Sequence, residues 1–362
     1  MKNILFVQDS TPCIRTIKIA DALQKNGMNI YLIHRNQTPK EMYGFGNSSF
    51  TSIIRLSKYN FNKLKIIKNL ISEKNIGLLH YHNEPDSLCA AIISAQIKIP
   101  IIYDQHDFLS FKKKLSIKEK KYEKICNENA AGTIYITESY KNEVSNYYNL
   151  IENSICFSNY FPKMCILDEK YFLPKLTKTD GESHLVFIGR ISENKSDHRY
   201  MLSNLKKLSE NGFIIHVYPS KNKKYKKYRN IKNVRMHQKL PYNELIREIS
   251  QYDFGLTIFN NEVAEKLPHI KFAFGNKTYD YLCSGIPVIV QDCLDEVRNF
   301  IINNNFGFIL EDYKDYKNIS QNKYSQIVKN IIENRNSFSM QNQIHRIIDF
   351  YKKTSLEFNK NS

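Results

Sequence analysis

Short apolar runs rich in β-branched residues alternate with amphipathic stretches of about 10–15 residues almost from end to end, a rhythm that predicts a mostly parallel sheet covered by helices on both faces. In the first half, ILFV (4–7) reads as a buried strand. IRTIKIADALQKNG (14–27) reads as a helix stopped at Gly27, a residue suited to a C-cap. Strands follow at 29–33, 77–82, 99–104, 132–137 and 154–157, with helices near 61–75, 86–97, 114–129 and 138–148 between them.

The rhythm breaks over 158–183, where two prolines and mixed polarity predict a linker. It then restarts. Strands are expected at 184–189, 213–218, 233–237, 254–259, 286–290 and 307–310. Helices are expected at 197–212, 241–251, 276–285 and 295–304, and two more in 312–358. The fold class is therefore α/β, with two Rossmann-like, doubly wound domains in series. We divide the chain into an N-terminal domain (1–160), a linker (161–183), a C-terminal domain (184–340) and a C-terminal helix (341–362) able to pack back on the N-terminal domain. Open parallel sheets bind ligands outside the carboxyl ends of their strands, so two such domains place a site in the cleft where both sets of ends meet.

Composition narrows this picture. The chain has 362 residues, enough for about two domains. At 42% hydrophobic and 25% charged it is too apolar for a disordered protein. No run of about 18 apolar residues spans a membrane, and MKNILFVQDS lacks the core of a signal peptide, so a cytoplasmic location is expected. The seven cysteines form no C-x-x-C pair and read mostly as small buried hydrophobes. Lys and Arg exceed Asp and Glu by 53 to 36, a formal charge of +17. That excess suits an anionic substrate, an anionic membrane surface or nucleic acid. It is also what a Lys-, Asn-, Ile- and Tyr-rich, AT-biased genome would produce.

The residues that follow strands carry the candidate chemistry. QDSTPCIRTIK (8–18) runs from the first strand into a helix N-terminus without G-x-G-x-x-G, which disfavours a dinucleotide site. Asp9 and Arg15 there are candidate substrate contacts, or a polar loop that only caps the helix. HYHNEPD (80–86) adds His82. YDQHDF (103–108) puts His106 just past a strand between Asp104 and Asp107, a setting for proton transfer or substrate orientation. His80, His82 and His106 lack the usual spacing of metal ligands. In the second half, GRISENK (189–195) offers Gly189 for close backbone approach and two cations, Arg190 and Lys195, beside a helix start, an arrangement suited to a pyrophosphate. In FAFGNKTYDYLCSGIPVIV (272–290), Asn276 can cap a short helix, Lys277 adds charge and Asp280 can accept from a ribose diol. A solvated basic turn and an ordinary helix-turn-strand unit are the plain readings of these two loops.

These residues resemble the GT-B-fold glycosyltransferases, and more narrowly the group 1, family 4-like enzymes of bacterial surface-glycan synthesis. A "GR…K" pattern appears as Gly189, Arg190 and Lys195. An "NK…EY…GxPV" pattern appears as Asn276, Lys277, Asp280, Tyr281, Gly285, Pro287 and Val288. The resemblance covers nearly the whole chain. It implies a nucleotide-diphosphate sugar on the C-terminal domain, its diphosphate held by Gly189, Arg190, Lys195, Asn276 and Lys277 and its ribose by Asp280. A glycan or polyprenyl-linked acceptor is implied on the N-terminal domain near Asp9, Arg15 and His82, with His106 and Asp107 as the catalytic candidates. No cofactor and no metal are implied, because cations and helix dipoles stabilise the departing diphosphate. The chain departs from many relatives by lacking a glycine-rich loop after the first strand and by having Phe272 and Asp280 where a pair of glutamates is common. Transfer with retention is the expected outcome. An inverting enzyme would need His106 or Asp107 as base.

Two basic stretches remain. FKKKLSIKEKKYEK (111–124) holds seven Lys, and KNKKYKKYRNIKNVR (221–235) holds eight cations and no acid. They read as solvated surface or as attraction to anionic lipid. The tyrosines within the second would suit base stacking, but no RNA-binding signature accompanies them and no nucleic-acid partner is expected. The alternatives to a glycosyltransferase are a sugar-nucleotide epimerase on the same scaffold and a non-catalytic binder of nucleic acid or an anionic surface.

Overall fold

The computed structural model describes residues 2–57, 62–272 and 274–360. The chain forms two compact units, Met1–Asn159 with Met340–Ser362, and Tyr160–Ser339.

In the first unit, seven strands pair in parallel: β1 (Asn3–Gln8), β2 (Asn29–Arg35), β3 (Ser52–Leu56), β4 (Leu78–His82), β5 (Ile101–Gln105), β6 (Gly132–Tyr135) and β7 (Ser154–Cys156), in the order β3-β2-β1-β4-β5-β6-β7. β1 is unbroken apolar sequence because it is covered on both faces: Ile4, Leu5, Phe6 and Val7 are wholly buried. The order reverses between β1 and β4, so their carboxyl ends flank the crevice where such sheets take ligands. β3 lies outside the expected elements. It is a five-residue edge strand whose residues are mostly half-exposed, so its sequence carries little apolar signal. The helix expected from 114 starts instead at Ile117 and runs to Asn129, because Ser116 and Glu119 close a reciprocal capping box ahead of it. The helix expected near 61–75 runs Lys63–Glu73, with residue 61 outside the described residues.

The last helix, Met340–Lys360, belongs to this unit. Ile344, Ile347, Phe350 and Tyr351 on its inner face are buried. A Cβ on Gly132 would lie 2.7 Å from the Phe350 ring, so glycine at the start of β6 lets the helix approach. The expected end of this helix at 361–362 lies outside the described residues.

The second unit repeats the plan with β8 (His184–Gly189), β9 (Ile214–Pro219), β10 (Val234–Met236), β11 (Phe254–Thr257), β12 (Val288–Val290) and β13 (Gly307–Ile309), all parallel, ordered β10-β9-β8-β11-β12-β13. The reversal falls between β8 and β11. The helix Asn276–Cys283 packs on β11 through Tyr281, whose ring fills the space where a Gly255 side chain would stand. The Tyr281 hydroxyl accepts from the Ile188 N–H at 3.1 Å and donates to the Leu256 carbonyl at 3.0 Å, which ties the helix to both strands at the reversal. No helix among the described residues is long and apolar enough to cross a membrane.

Candidate active site

In the first unit, Asp104 at the end of β5 is the electrostatic hub. Arg15 Nε lies 2.8 Å from its Oδ2, His82 Nδ1 at 3.3 Å and His80 Nε2 at 3.4 Å. All four side chains are buried. Burial pulls His80 below its ordinary pKa and His82 well below it, so both are neutral rings. Burial alone would raise the Asp104 pKa, but Arg15 and the histidines outweigh it and hold the carboxyl well below the usual range.

His80, His82 and Asp104 also form a group of the ligand types that hold metal ions. The arrangement fits a cation poorly. The Arg15 guanidinium already occupies the shared carboxylate oxygen. The two imidazoles stack with centroids 4.1 Å apart and planes only 14° from parallel, so their in-plane lone pairs do not converge on one point.

The acceptor candidates therefore have work inside the unit. Arg15 also donates to the Ser158 carbonyl at 3.0 Å and to Asn159 Oδ1 at 3.2 Å. Asp9 is 4% exposed and accepts from Lys63 at 2.9 Å, with Arg35 3.5 Å away. His82 has no exposed surface. The strand-end position that suggested substrate contact instead engages Asp9 with Lys63, His82 with Asp104 in β5, and Arg15 with Asp104 and the Ser158–Asn159 segment. The reason is burial: a charge taken from water must find a partner within the protein.

His106 and Asp107 follow β5 directly. Their backbone N–H groups both donate to Asn83 Oδ1, at 3.2 and 3.3 Å, while Asn83 Nδ2 donates to the Asp107 carbonyl. Asn83 is 1% exposed and fixes this loop, a role its place in HYHNEPD did not advertise. Asp107 is about half exposed and pairs with Lys112 at 2.9 Å. His106 faces Cys13, its Nε2 3.6 Å from the sulfur. Burial lowers the His106 pKa, but Cys13, Asp104 and Asp107 outweigh it and push it up to about 9. His106 is therefore an imidazolium at neutral pH and has no proton-accepting capacity there.

In the second unit, Gly189 ends β8 with φ at +118°, a backbone region closed to most side chains. The chain then turns into a loop with Arg190 and Lys195 exposed. Asn260 Nδ2 holds the Lys195 carbonyl at 2.8 Å. The buried Tyr228 hydroxyl donates to the Ser192 carbonyl at 2.7 Å and accepts from the Met201 N–H at 3.0 Å. Tyr225 and Tyr228 of the second basic stretch are thus 7% and 0% exposed, unavailable for stacking on a base, and Tyr228 buttresses the Arg190–Lys195 loop.

The second cation-bearing loop meets the first. Lys277 Nζ lies between the Phe187 and Phe259 rings, 4.5 and 4.3 Å from their centroids, and 3.3 Å from the Ile258 carbonyl. Burial, then Arg199, lowers its pKa to about 7. Burial, then Arg190, lowers that of Arg199. Arg199 is therefore repelled by Arg190 and in turn repels Lys277. Arg199 was missing from the sequence prediction. Its only signal was that it lies four residues past Lys195 in the same loop. Asn276 is the first residue of its helix rather than the cap: Gly275 holds the cap position with extended backbone, leaving no side-chain cap. Asp280 accepts a 2.6 Å bond from the Tyr242 hydroxyl, which orients the carboxylate proposed for the ribose.

Two family models match this chain: Glycosyltransferase Family 4 over residues 14–156, and the Glucosyltransferase 3-like C-terminal domain over 185–347. The chain is a GT-B glycosyltransferase of the group 1 type. No curated protein matches it in sequence. Among solved structures, this glycosyltransferase is similar in fold to a glycosyltransferase of Rickettsia africae, with 15% identity, TM-score 0.72, and coverage of 100% of this chain and 99% of that one. It is likewise similar to the Anabaena protein HepE solved with UDP-glucose, at 14% identity, TM-score 0.70 and coverage of 96% and 100%. A third is a sucrose-phosphate synthase from Thermosynechococcus elongatus, at 12% identity, TM-score 0.70 and coverage of 98% and 99%.

Proposed function

We propose that this glycosyltransferase takes its sugar from a nucleoside-diphosphate sugar bound on the second unit and passes it to a hydroxyl of a glycan or lipid-linked acceptor bound on the first, in cell-surface polysaccharide or glycoconjugate synthesis. The carrying observation is that Arg199 lies between the other two cations: after burial, repulsion from Arg190 lowers the pKa of Arg199, and repulsion from Arg199 lowers that of Lys277. A diphosphate relieves that repulsion, and the start of the helix at Asn276 adds its partial positive charge. In the transition state the leaving diphosphate gains charge, so the same cations, with Lys195 at the loop's exposed edge, act where charge develops. Asp280, oriented by Tyr242, takes the ribose hydroxyls. HepE was solved with UDP-glucose, which favours a uridine nucleotide as the first donor to try.

Retention is the stereochemistry this arrangement favours. Inversion needs a base near the acceptor hydroxyl. His106 is protonated at neutral pH and Asp107 is paired with Lys112. In the retaining route the departing phosphate oxygen takes the acceptor proton, and neither residue has to. No cofactor is required, and no metal, because the protein's cations meet the diphosphate charge.

The first basic stretch gives this reading a place to work. Lys113, Lys114, Lys120, Lys121 and Lys124 line a groove of about 490 Å³ together with Ile117, which is 91% exposed. An apolar side chain amid lysines suits the inner face of an anionic cytoplasmic membrane, where each cation adds about 1 kcal/mol.

The deciding experiment screens UDP-, GDP- and CDP-sugars for product mass, alongside thermal shifts with UDP, UMP and uridine. Diphosphate-dependent stabilisation that is lost in Lys277→Met, with a sugar-acceptor conjugate as product, is expected. A free epimerised sugar nucleotide would replace transfer by epimerisation. Indifference to every nucleoside diphosphate would refute the donor site.

A further inference from the structure

Cys13 sits between β1 and the helix Ile14–Lys25, at the N-cap position, with no side-chain cap bond of its own. It is partly exposed, and its sulfur contacts two groups: Thr16 Oγ1 at 3.3 Å and His106 Nε2 at 3.6 Å. His106 is 11% exposed. Its other nitrogen, Nδ1, is 4.0 Å from Asp104 Oδ1 and is buried without a hydrogen-bond partner. A thiol thus contacts an imidazole that has a carboxylate 4.0 Å beyond it, and a thiol beside an imidazole is the pairing that activates a sulfur nucleophile. The surrounding charges are Arg15 from the same helix, His80 and His82 from β4, Asp104 and Asp107 around β5, and Tyr43 from the short helix Pro39–Tyr43.

The balance of these groups favours the ion pair. Burial pushes the Cys13 thiol up, but His106 and the bonds from His106 and Thr16 outweigh it and bring it down to about 6. Cys89, Cys126, Cys156 and Cys293 go the other way: burial raises each of them. Thiolate character together with access is what makes a cysteine reactive, and Cys13 combines the two.

We propose that Cys13 is a redox-modification site, at which a small hydroperoxide oxidises the sulfur to a sulfenic acid. The thiolate attacks one peroxide oxygen. The S–O bond forms as the O–O bond breaks, the sulfur losing two electrons and the peroxide gaining them. The hydroxide released from hydrogen peroxide takes the His106 proton and departs as water. Nothing in sugar transfer calls for this pair, and its readouts do not depend on transfer.

The test treats the intact protein with hydrogen peroxide, traps sulfenic acid with a dimedone-type probe and maps it by peptide mass, with an iodoacetamide rate profile against pH beside it. Cys13 should label ahead of the other six cysteines, with a rate midpoint near pH 6. His106→Gln should move the midpoint to the ordinary thiol range, about 8.5. At pH 6 that shift removes about 150-fold of thiolate but returns about 13-fold of intrinsic nucleophilicity, so alkylation slows about tenfold. The difference in ultraviolet thiolate absorbance between wild type and Cys13→Ser titrates the pair without the His106 variant, should that variant misfold. A wild-type midpoint above pH 8, or labelling of Cys13 no faster than the other cysteines, would overturn the proposal.

Discussion

Lys277 carries the most consequential side-chain chemistry of the second unit. Its ammonium lies between two phenyl rings and is half deprotonated near neutral pH, since burial and Arg199 lower its pKa to about 7. An anion at the cluster stabilises the charged form, so donor binding should take up a proton. The sign follows: affinity is full below pH 7 and falls about tenfold per pH unit above it, until the pKa of the bound state is reached. Calorimetry of UDP binding at pH 8 in two buffers of different ionisation enthalpy measures the uptake, and Lys277→Met should remove both the uptake and the slope. The sequence singled out Lys277 beside a helix start, where it is the second residue of Asn276–Cys283, but could not tell that Phe187 and Phe259 would enclose it, since those residues lie 90 and 18 positions away. It likewise named Asp9, Arg15 and His82 from their strand-end positions. Their burial depends on Lys63, Asp104 and Ser158, which no local pattern connects to them.

At the level of elements, the seam between β11 and the helix Asn276–Cys283 sets the donor loop. Tyr281 stands where a Gly255 side chain would be, with an ideal Cβ only 2.2 Å from the ring. Gly255→Ala should therefore shift the helix or expel the ring, costing about 1–3 kcal/mol or more by overpacking. The urea midpoint should fall, and UDP affinity with it. Tyr281→Phe keeps the ring but leaves the Ile188 N–H and Leu256 carbonyl unpaired in a buried place, at about 1–3 kcal/mol. The β-strand sequence of the second unit was easily read because its strands are buried on both faces, as at Leu185–Ile188. What escaped was small, such as the edge strand Ser52–Leu56 and the short helices Pro39–Tyr43, Leu109–Lys112, Thr177–Asp180, Lys226–Arg229, Asn261–Ala264, Pro268–Lys271 and Tyr313–Lys317. Segments that short bury too few residues to show a period.

For the whole molecule, buried histidines set the response to acid. His80 and His82 in the first unit are neutral because burial lowers their pKa values, and His216 in the second is brought down to about 3 by burial and by His237 and His184. Unfolded, each titrates near 6.5, so the unfolded chain binds more protons below that pH and stability is lost as pH falls. Asp86 opposes this in the first unit, since burial raises it to about 7. Glu123 is raised by burial too, but burial also lowers His34 in the first unit and His198, to about 4, and His237 in the second, so the histidines outnumber the two acids and stability should fall as the pH drops from about 6 to 4.5. Urea midpoints across that range test it, and a flat profile would contradict the buried neutral rings. The C-terminal helix provides a second whole-molecule test. Ile347 has no exposed surface, and Ile347→Ala should cost the first unit about 2–5 kcal/mol, read as a lower melting temperature.

That helix, Met340–Lys360, also fixes the order of events during synthesis. The ribosome makes the first seven strands early, yet the segment that covers β6 and hydrogen-bonds His80 through the Tyr351 hydroxyl comes only after residues 160–339. Throughout translation of residues 160–339, the N-terminal sheet therefore waits with an uncovered apolar face. Any premature stop before residue 340 leaves that face bare, which makes truncated products natural clients for chaperones and proteases.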